Sequence, residues 1–222
     1  MRNVILYMTT SVDGFIAGPN NELDWMLGTS DQALNDDVIA LLQASDAGFL
    51  GYPVAQGMIP YWESAVGDPS ASPGTRELAA AVNGLHRIVI SSHPVDLPWD
   101  NCELVVARDD DDLIAAVTDI KRQPGRDIGV PGGVRTAQRF ARLGLIDEYV
   151  LQVHPIALGV GQPLFTEATE LELTSVKVYD SGVMGIRYRP VLTRQQAPES
   201  AGVVNHQPKP ASRVSRNITA AQ

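Results

Sequence analysis

The stretch Val130-Pro131-Gly132-Gly133-Val134-Arg135-Thr136 carries the clearest chemical signal in this chain. An apolar run ends, two glycines turn, and a helical pattern begins. Glycines let backbone approach a ligand closely, and the first turn of a helix leaves N–H groups unpaired at its positive end. Together they make an anion site suited to a pyrophosphate. The pattern is not G-x-G-x-x-G, so taken alone it is equally a tight strand-to-helix turn. Asp13 precedes Gly14 in a loop rich in turn residues. Its carboxylate could bind a substrate amine or relay a proton, or shape the loop as an Asx turn. Trp25 could stack on a planar substrate or anchor its loop. Asp109-Asp110-Asp111-Asp112 reads more readily as a helix N-terminus than as a metal site, because the dipole favours carboxylates there. The histidines show no metal-ligand spacing, and no metal is expected. Cys102 lies among acidic neighbours, which disfavour a thiolate, so it is expected to be structural.

These residues need elements to hold them. Short apolar runs predict strands at Val4 to Met8, Ala47 to Gly51, Arg87 to Ser91, Leu104 to Val106, Asp127 to Val130 and Val150 to Val153. Leu173 to Tyr179 and Met184 to Val191 flank Asp180-Ser181-Gly182 as a hairpin. Helices are predicted from the Ser30-Asp31 cap to about Ser45, from Ser72-Pro73 to near Gly84, after the acidic run, and from the Gly-Gly turn to about Leu143. Strands and helices alternate, then a hairpin closes the sheet. That order predicts an α/β fold whose central sheet is mostly parallel, with an antiparallel C-terminal edge hairpin and helices on both faces.

The chain has 222 residues, 44% hydrophobic and 19% charged, with a formal net charge of −9. Its length suits one domain over residues 1–192. Residues 193–222 form a polar tail, either disordered or a packing arm. The acidic balance argues against nucleic acid and membrane surfaces as partners. A single cysteine allows no internal disulfide, and no apolar run suits a signal peptide or membrane span, so a cytoplasmic location is expected.

Further along, Gly144-Leu145-Ile146-Asp147-Glu148 leads to Pro155-Ile156-Ala157-Leu158-Gly159-Val160-Gly161-Gln162-Pro163-Leu164-Phe165. With the Gly-Gly turn, Ser11-Val12-Asp13-Gly14-Phe15-Ile16-Ala17-Gly18-Pro19, Leu23-Asp24-Trp25, and Ile88 to Ser91 followed by Trp99 and Asn101, this resembles the dihydrofolate-reductase-like family. That family includes the reductase domain of bacterial riboflavin biosynthesis. The resemblance covers roughly residues 2 to 191. It implies NADPH, or NADH, lying across the C-terminal ends of the central strands, and a homodimer. It places Ile16 and Ala17 against the nicotinamide, Gly51 and Tyr52 after the second strand, and Pro131, Gly132, Gly133, Val134, Arg135 and Thr136 on the pyrophosphate. Ser91 and Ser92 fall near the adenosine end. A family carboxylate on the first long helix falls among Asn35, Asp36 and Asp37, with Asp36 the candidate beside Asp13 and Trp25 for a catalytic role.

Two positions depart from the family. Gly51-Tyr52-Pro53-Val54 stands where Gly-Arg-x-Thr is usual, so the arginine that grips the cofactor's phosphate is missing. Pro131 stands where the riboflavin reductases carry a glutamate. The expected activity is transfer of hydride from NAD(P)H to a C=N or C=O bond of a small, pterin- or pyrimidine-like heterocycle. The alternative is a non-redox protein on the same fold, a small-molecule binder or acid–base enzyme that has lost the dinucleotide.

Overall fold

A computed structural model of the chain describes residues 1–26 and 31–191. Strands β1 (Val4–Ser11), β3 (Ser45–Gly51), β4 (His86–Ser91), β5 (Cys102–Val106), β6 (Asp127–Val130), β7 (Glu148–His154), β9 (Leu171–Val178) and β10 (Met184–Pro190) form one sheet. Its order is β5-β4-β3-β6-β1-β7-β10-β9. The first six strands in that order pair in parallel, whereas β10 is antiparallel to both β7 and β9. A separate two-stranded ribbon joins β2 (Phe15–Ala17) to β8 (Gln162–Pro163). The mostly parallel sheet and its antiparallel edge are those the sequence predicts.

Alternation along the strands sorts side chains to two faces. Val4, Leu6, Phe49, Ile88, Ile128 and Val130 meet helices α4 (Asp110–Arg122) and α5 (Val134–Arg142) in the main core. Phe49 and Phe140 pack with ring centroids 5.1 Å apart. The other face carries α1 (Gln32–Ala44), α2 (Tyr52–Gly67) and α3 (Pro73–Asn83). There Leu50 and Val89 pack beneath Ala55 and Ile59 of α2. Tyr149 is fully enclosed on the first face, and burial pushes its phenol up to about 12.

The predicted caps are largely those observed. Asp31 accepts the Leu34 amide at 3.1 Å, Ser72 the Thr75 amide at 3.0 Å, and Asp109 the Asp112 amide at 2.8 Å. Ser30 and the predicted tail 193–222 lie outside the described residues. Asp110 pairs with both Arg139 (2.8 Å) and Arg142 (2.7 Å), so the acidic run fastens α4 to α5.

Helix α2 has no counterpart in the sequence reading. Pro53, Gly57 and Pro60 depress its helical signal. Pro53 is harmless because it stands in the first turn, where no N–H partner is needed. Burial of Ala55, Ile59 and Ala65 outweighs the local cost at Pro60.

Candidate active site

The C-terminal ends of β1, β3, β4 and β6 open on one side of the sheet, where open α/β sheets bind ligands. Two helices start there. Gly51 is the N-cap of α2 and Gly133 that of α5, and neither N-terminus has a side-chain cap. Their first-turn amides therefore stay available to a ligand.

The two turns touch. A Cβ added to Gly51 would lie 2.7 Å from Thr136 Oγ1. One added to Gly133 would lie 2.9 Å from Val54 Cγ2, and Gly133 holds φ at 91°. Both glycines are thus required by close approach, and Gly133 by backbone conformation as well. Arg135 is exposed in the first turn of α5, and among the described residues it has no hydrogen bond or ion pair. A cation at the positive end of a helix is unfavourable unless an anion joins it. Gly132, Gly133, Val134, Arg135 and Thr136 are thus gathered with Gly51 around two uncapped helix N-termini. The residues present fit a dinucleotide.

Other predicted residues fall differently. Ile16 and Ala17 are buried in the core, so only their backbone can face a nicotinamide. Tyr52 is half-buried against Leu50 and Ala55, which limits its predicted contact with the cofactor. Ser91 is buried and its Oγ accepts the His93 amide at 3.3 Å, whereas Ser92 is exposed with Oγ 3.2 Å from His93 Nδ1. Pro131 lines crevices on the α1–α2 face rather than these helix N-termini, because its ring precedes the turn.

The three predicted catalytic side chains each find partners within the fold. Asp13 accepts from the Ser11 hydroxyl, the Gly159 amide (2.8 Å) and the Leu158 amide (3.2 Å). Its carboxylate fastens the β1–β2 turn to the 158–159 loop. Asp36 is exposed and accepts from Gln32 Nε2 at 2.7 Å on its own helix. Its neighbour Asp37 is engaged by Lys177 and by the Tyr179 hydroxyl at 2.7 Å. Trp25 donates Nε1–H to the Glu22 carbonyl at 3.2 Å and meets His154 edge-on at 5.7 Å, which makes it a loop anchor. Burial lowers the His154 pKa and favours the neutral ring.

The hydrogen bonds to Asp13 hold its carboxyl below the usual aspartate range, the Ser11 hydroxyl contributing most and the Gly159 amide next. A lowered folded value means the clamp is complete above the unfolded pKa, ~3.9. It is lost as pH falls through the folded value. The Leu158 and Gly159 amide resonances are expected to titrate together, with a midpoint below ~3.9 in an NMR pH series. A midpoint at or above that value refutes the clamp.

Sequence reasoning missed Tyr7. It sits on β1, on the α1 face, largely buried along the crevice that Pro131 also lines. Burial, with Tyr179 nearby, raises its pKa and keeps the phenol protonated. Its place inside an apolar strand gives no chemical signal, and only the period-two alternation hints at the face it occupies.

The fold is dihydrofolate-reductase-like. The chain belongs to the family described as the RibD C-terminal domain, whose model matches residues 2–184. It is 29% identical over 190 residues to the uncharacterized protein YyaP of Bacillus subtilis (strain 168), covering 84% of this chain and 94% of that one. A putative riboflavin biosynthesis protein from Shewanella sp. PV-4 superposes with a TM-score of 0.64 at 23% identity, covering 86% of this chain and 99% of that one. Dihydrofolate reductase from Enterococcus faecalis, complexed with NADP(H) and RAB-propyl, gives 0.50 at 15% identity, covering 85% and 96%. Among the described residues no helix is long and apolar enough to cross a membrane.

Proposed function

We propose that this chain is a cytoplasmic, NADPH-dependent reductase of a small heterocycle. The observation that carries the reading is the pair of side-chain-free helix N-termini meeting at Gly51 and Gly133, with Arg135 unpaired beside them. Membership of a reductase family and likeness to a reductase described with NADP(H) support it.

The first-turn amides of α5, with the Arg135 guanidinium and the Thr136 hydroxyl, would hold the pyrophosphate. Arg135 supplies from the start of α5 a charge that Tyr52 cannot. Ser92 and His93 would meet the adenosine end. The backbone of Ile16 and Ala17 would line the nicotinamide, and their buried side chains keep that wall rigid and dry. When bound, the cofactor supplies the hydride. The chain's own part is to place the two reactants in contact. Tyr7, protonated at every physiological pH, would donate a hydrogen bond to a ring nitrogen or carbonyl of the substrate.

Titrating the purified protein with NADPH and with NADH, followed by nicotinamide fluorescence, tests this. Saturable enhancement by NADPH is expected. No binding of either at millimolar concentration would sink the reading.

A further inference from the structure

The central sheet has two edges, and they are built differently. Strand β5 at one edge is five residues long and exposes only Glu103, keeping Leu104, Val105 and Val106 buried or half-buried. Strand β9 at the other runs eight residues and exposes seven of them. Leu173, Val176 and Val178 are 55%, 51% and 69% exposed. Among the described residues no strand pairs with the outer edge of β9. A long edge strand carrying branched apolar side chains is a ready template for another strand.

Pairing with β10 fixes the face to which each β9 side chain belongs. Leu171, Leu173, Val176 and Val178 stand opposite Pro190, Tyr188, Ile186 and Met184, on the face of the main core. Glu172 and Lys177 stand opposite Arg189 and Gly185, on the α1 face, where Lys177 reaches Asp37. Ordinary alternation would put Leu173 and Val176 on opposite faces. The register shift between Arg187 and Tyr188 makes Thr174 an extra residue and returns them to the same face.

This bulge makes the strand self-complementary. With Thr174 and Ser175 taken as one position, β9 reads apolar, Glu172, apolar, bulge, apolar, Lys177, apolar. A two-fold axis through the bulge sets the pattern antiparallel against itself. Leu173 then meets the partner's Val176, and Leu171 the partner's Val178, all on the core face. Glu172 meets the partner's Lys177 on the α1 face, and symmetry repeats the contact. Without the extra residue, Leu173 and Val176 would lie on opposite faces and could not meet across the axis. Lysine often guards an open edge, but here Asp37 draws Lys177 back over the α1 face.

We infer that β9 is the seam of a homodimer, in which two copies pair antiparallel about an axis at Thr174–Ser175 and each Lys177 is shared between its own Asp37 and the partner's Glu172. The two sheets then run on as one, and opposite charges alternate across the seam. The inference is independent of the reductase reading, because no residue of the cofactor site takes part in the seam.

The test is sedimentation velocity on the full chain. The parent is expected to form a dimer and nothing larger, because the pairing uses the one open apolar edge of each copy. Val176→Asp puts a charge into the seam and is expected to leave a monomer. Glu172→Lys sets lysine against lysine twice across the axis, and Lys177→Glu sets glutamate against glutamate twice. Each is expected to dimerise about tenfold more weakly than the parent. Mixed in equal amounts, these two charge variants are expected to form a heterodimer tighter than either forms with itself, because both seam ion pairs are restored in reverse. A purely structural role for either residue predicts no recovery on mixing, and the mixing result holds whether or not Val176→Asp folds. A parent that stays monomeric up to millimolar concentration would overturn the proposal and show that the bulge blunts the edge. So would a dimer that Val176→Asp leaves intact, which would lie on another face, or charge variants that associate no better mixed than alone.

Discussion

Gly133→Asp is expected to weaken NADPH binding by at least about 100-fold, equivalent to about 2.7 kcal/mol. Two effects add. Gly133 holds φ at 91°, a conformation costing a side-chain-bearing residue roughly 1–2 kcal/mol. Its Cβ would also press on Val54 Cγ2 at 2.9 Å, shifting α2 against α5. The new carboxylate then stands at the mouth of the uncapped α5 amides, where it pairs with Arg135 and repels a pyrophosphate. Gly133→Ala separates the effects, because it keeps the strain and the close contact without the charge. It is expected to lose about tenfold, or about 1.4 kcal/mol. Val54→Ala in the same chain should recover part of that loss. Fluorescence titration checks the series, and parent affinity in Gly133→Asp would dismantle the cradle as described.

The largest stability effect is expected at Arg87. This residue is buried, with its guanidinium shared among α2, α3 and the loop before β5. Arg87→Met leaves the Asn83 amide oxygen and the Asp100 carbonyl without their donor. Glu63 is half-exposed and rehydrates, so the loss falls below that of a fully buried pair. About 3 kcal/mol is a reasonable magnitude, which lowers the melting temperature by roughly 6–12 °C in a domain of this size. Arg87→Lys should fall between, since one ammonium cannot reproduce a planar fork. The cofactor cradle lies at the other end of the strands, so NADPH affinity should not change. A melt of Arg87→Met within 2 °C of the parent, ~0.5–1 kcal/mol, would show that the network contributes little.

Much of the fold is legible in the sequence because its signals are local. The apolar runs at Ile88-Val89-Ile90 and Asp127–Val130, the caps at Asp31, Ser72 and Asp109, and the turn at Gly182 each need only a few residues to be read. Helix α2 is not legible, because Pro53, Gly57 and Pro60 speak against it and its support comes from β3 and β4. The phosphate cradle is half legible. Gly132-Gly133 announces a turn, but its meeting with Gly51 and Val54 is a tertiary fact. Asp13, Trp25 and Asp36 have the right types for chemistry. What the sequence does not show is the partners they find in space: the 158–159 loop, His154 and Gln32. Tyr7 and Gly129 carry no motif, and only the pairing of β1 with β6 brings them to the same crevice.

The central place of β1 has a consequence for how the chain comes to be folded. Strand β1 is flanked by β6 and β7, so Val4 cannot find Ile128 until 124 further residues have been made. At ~5–20 residues per second, β1 leaves the ribosome roughly 6–25 s before its first partner. Both of its edges stay unsatisfied for that time. The Asp13 clamp closes later still, once Leu158 and Gly159 have been made. The cleft is thus among the last parts to form, and no N-terminal fragment ending before β6 can contain it.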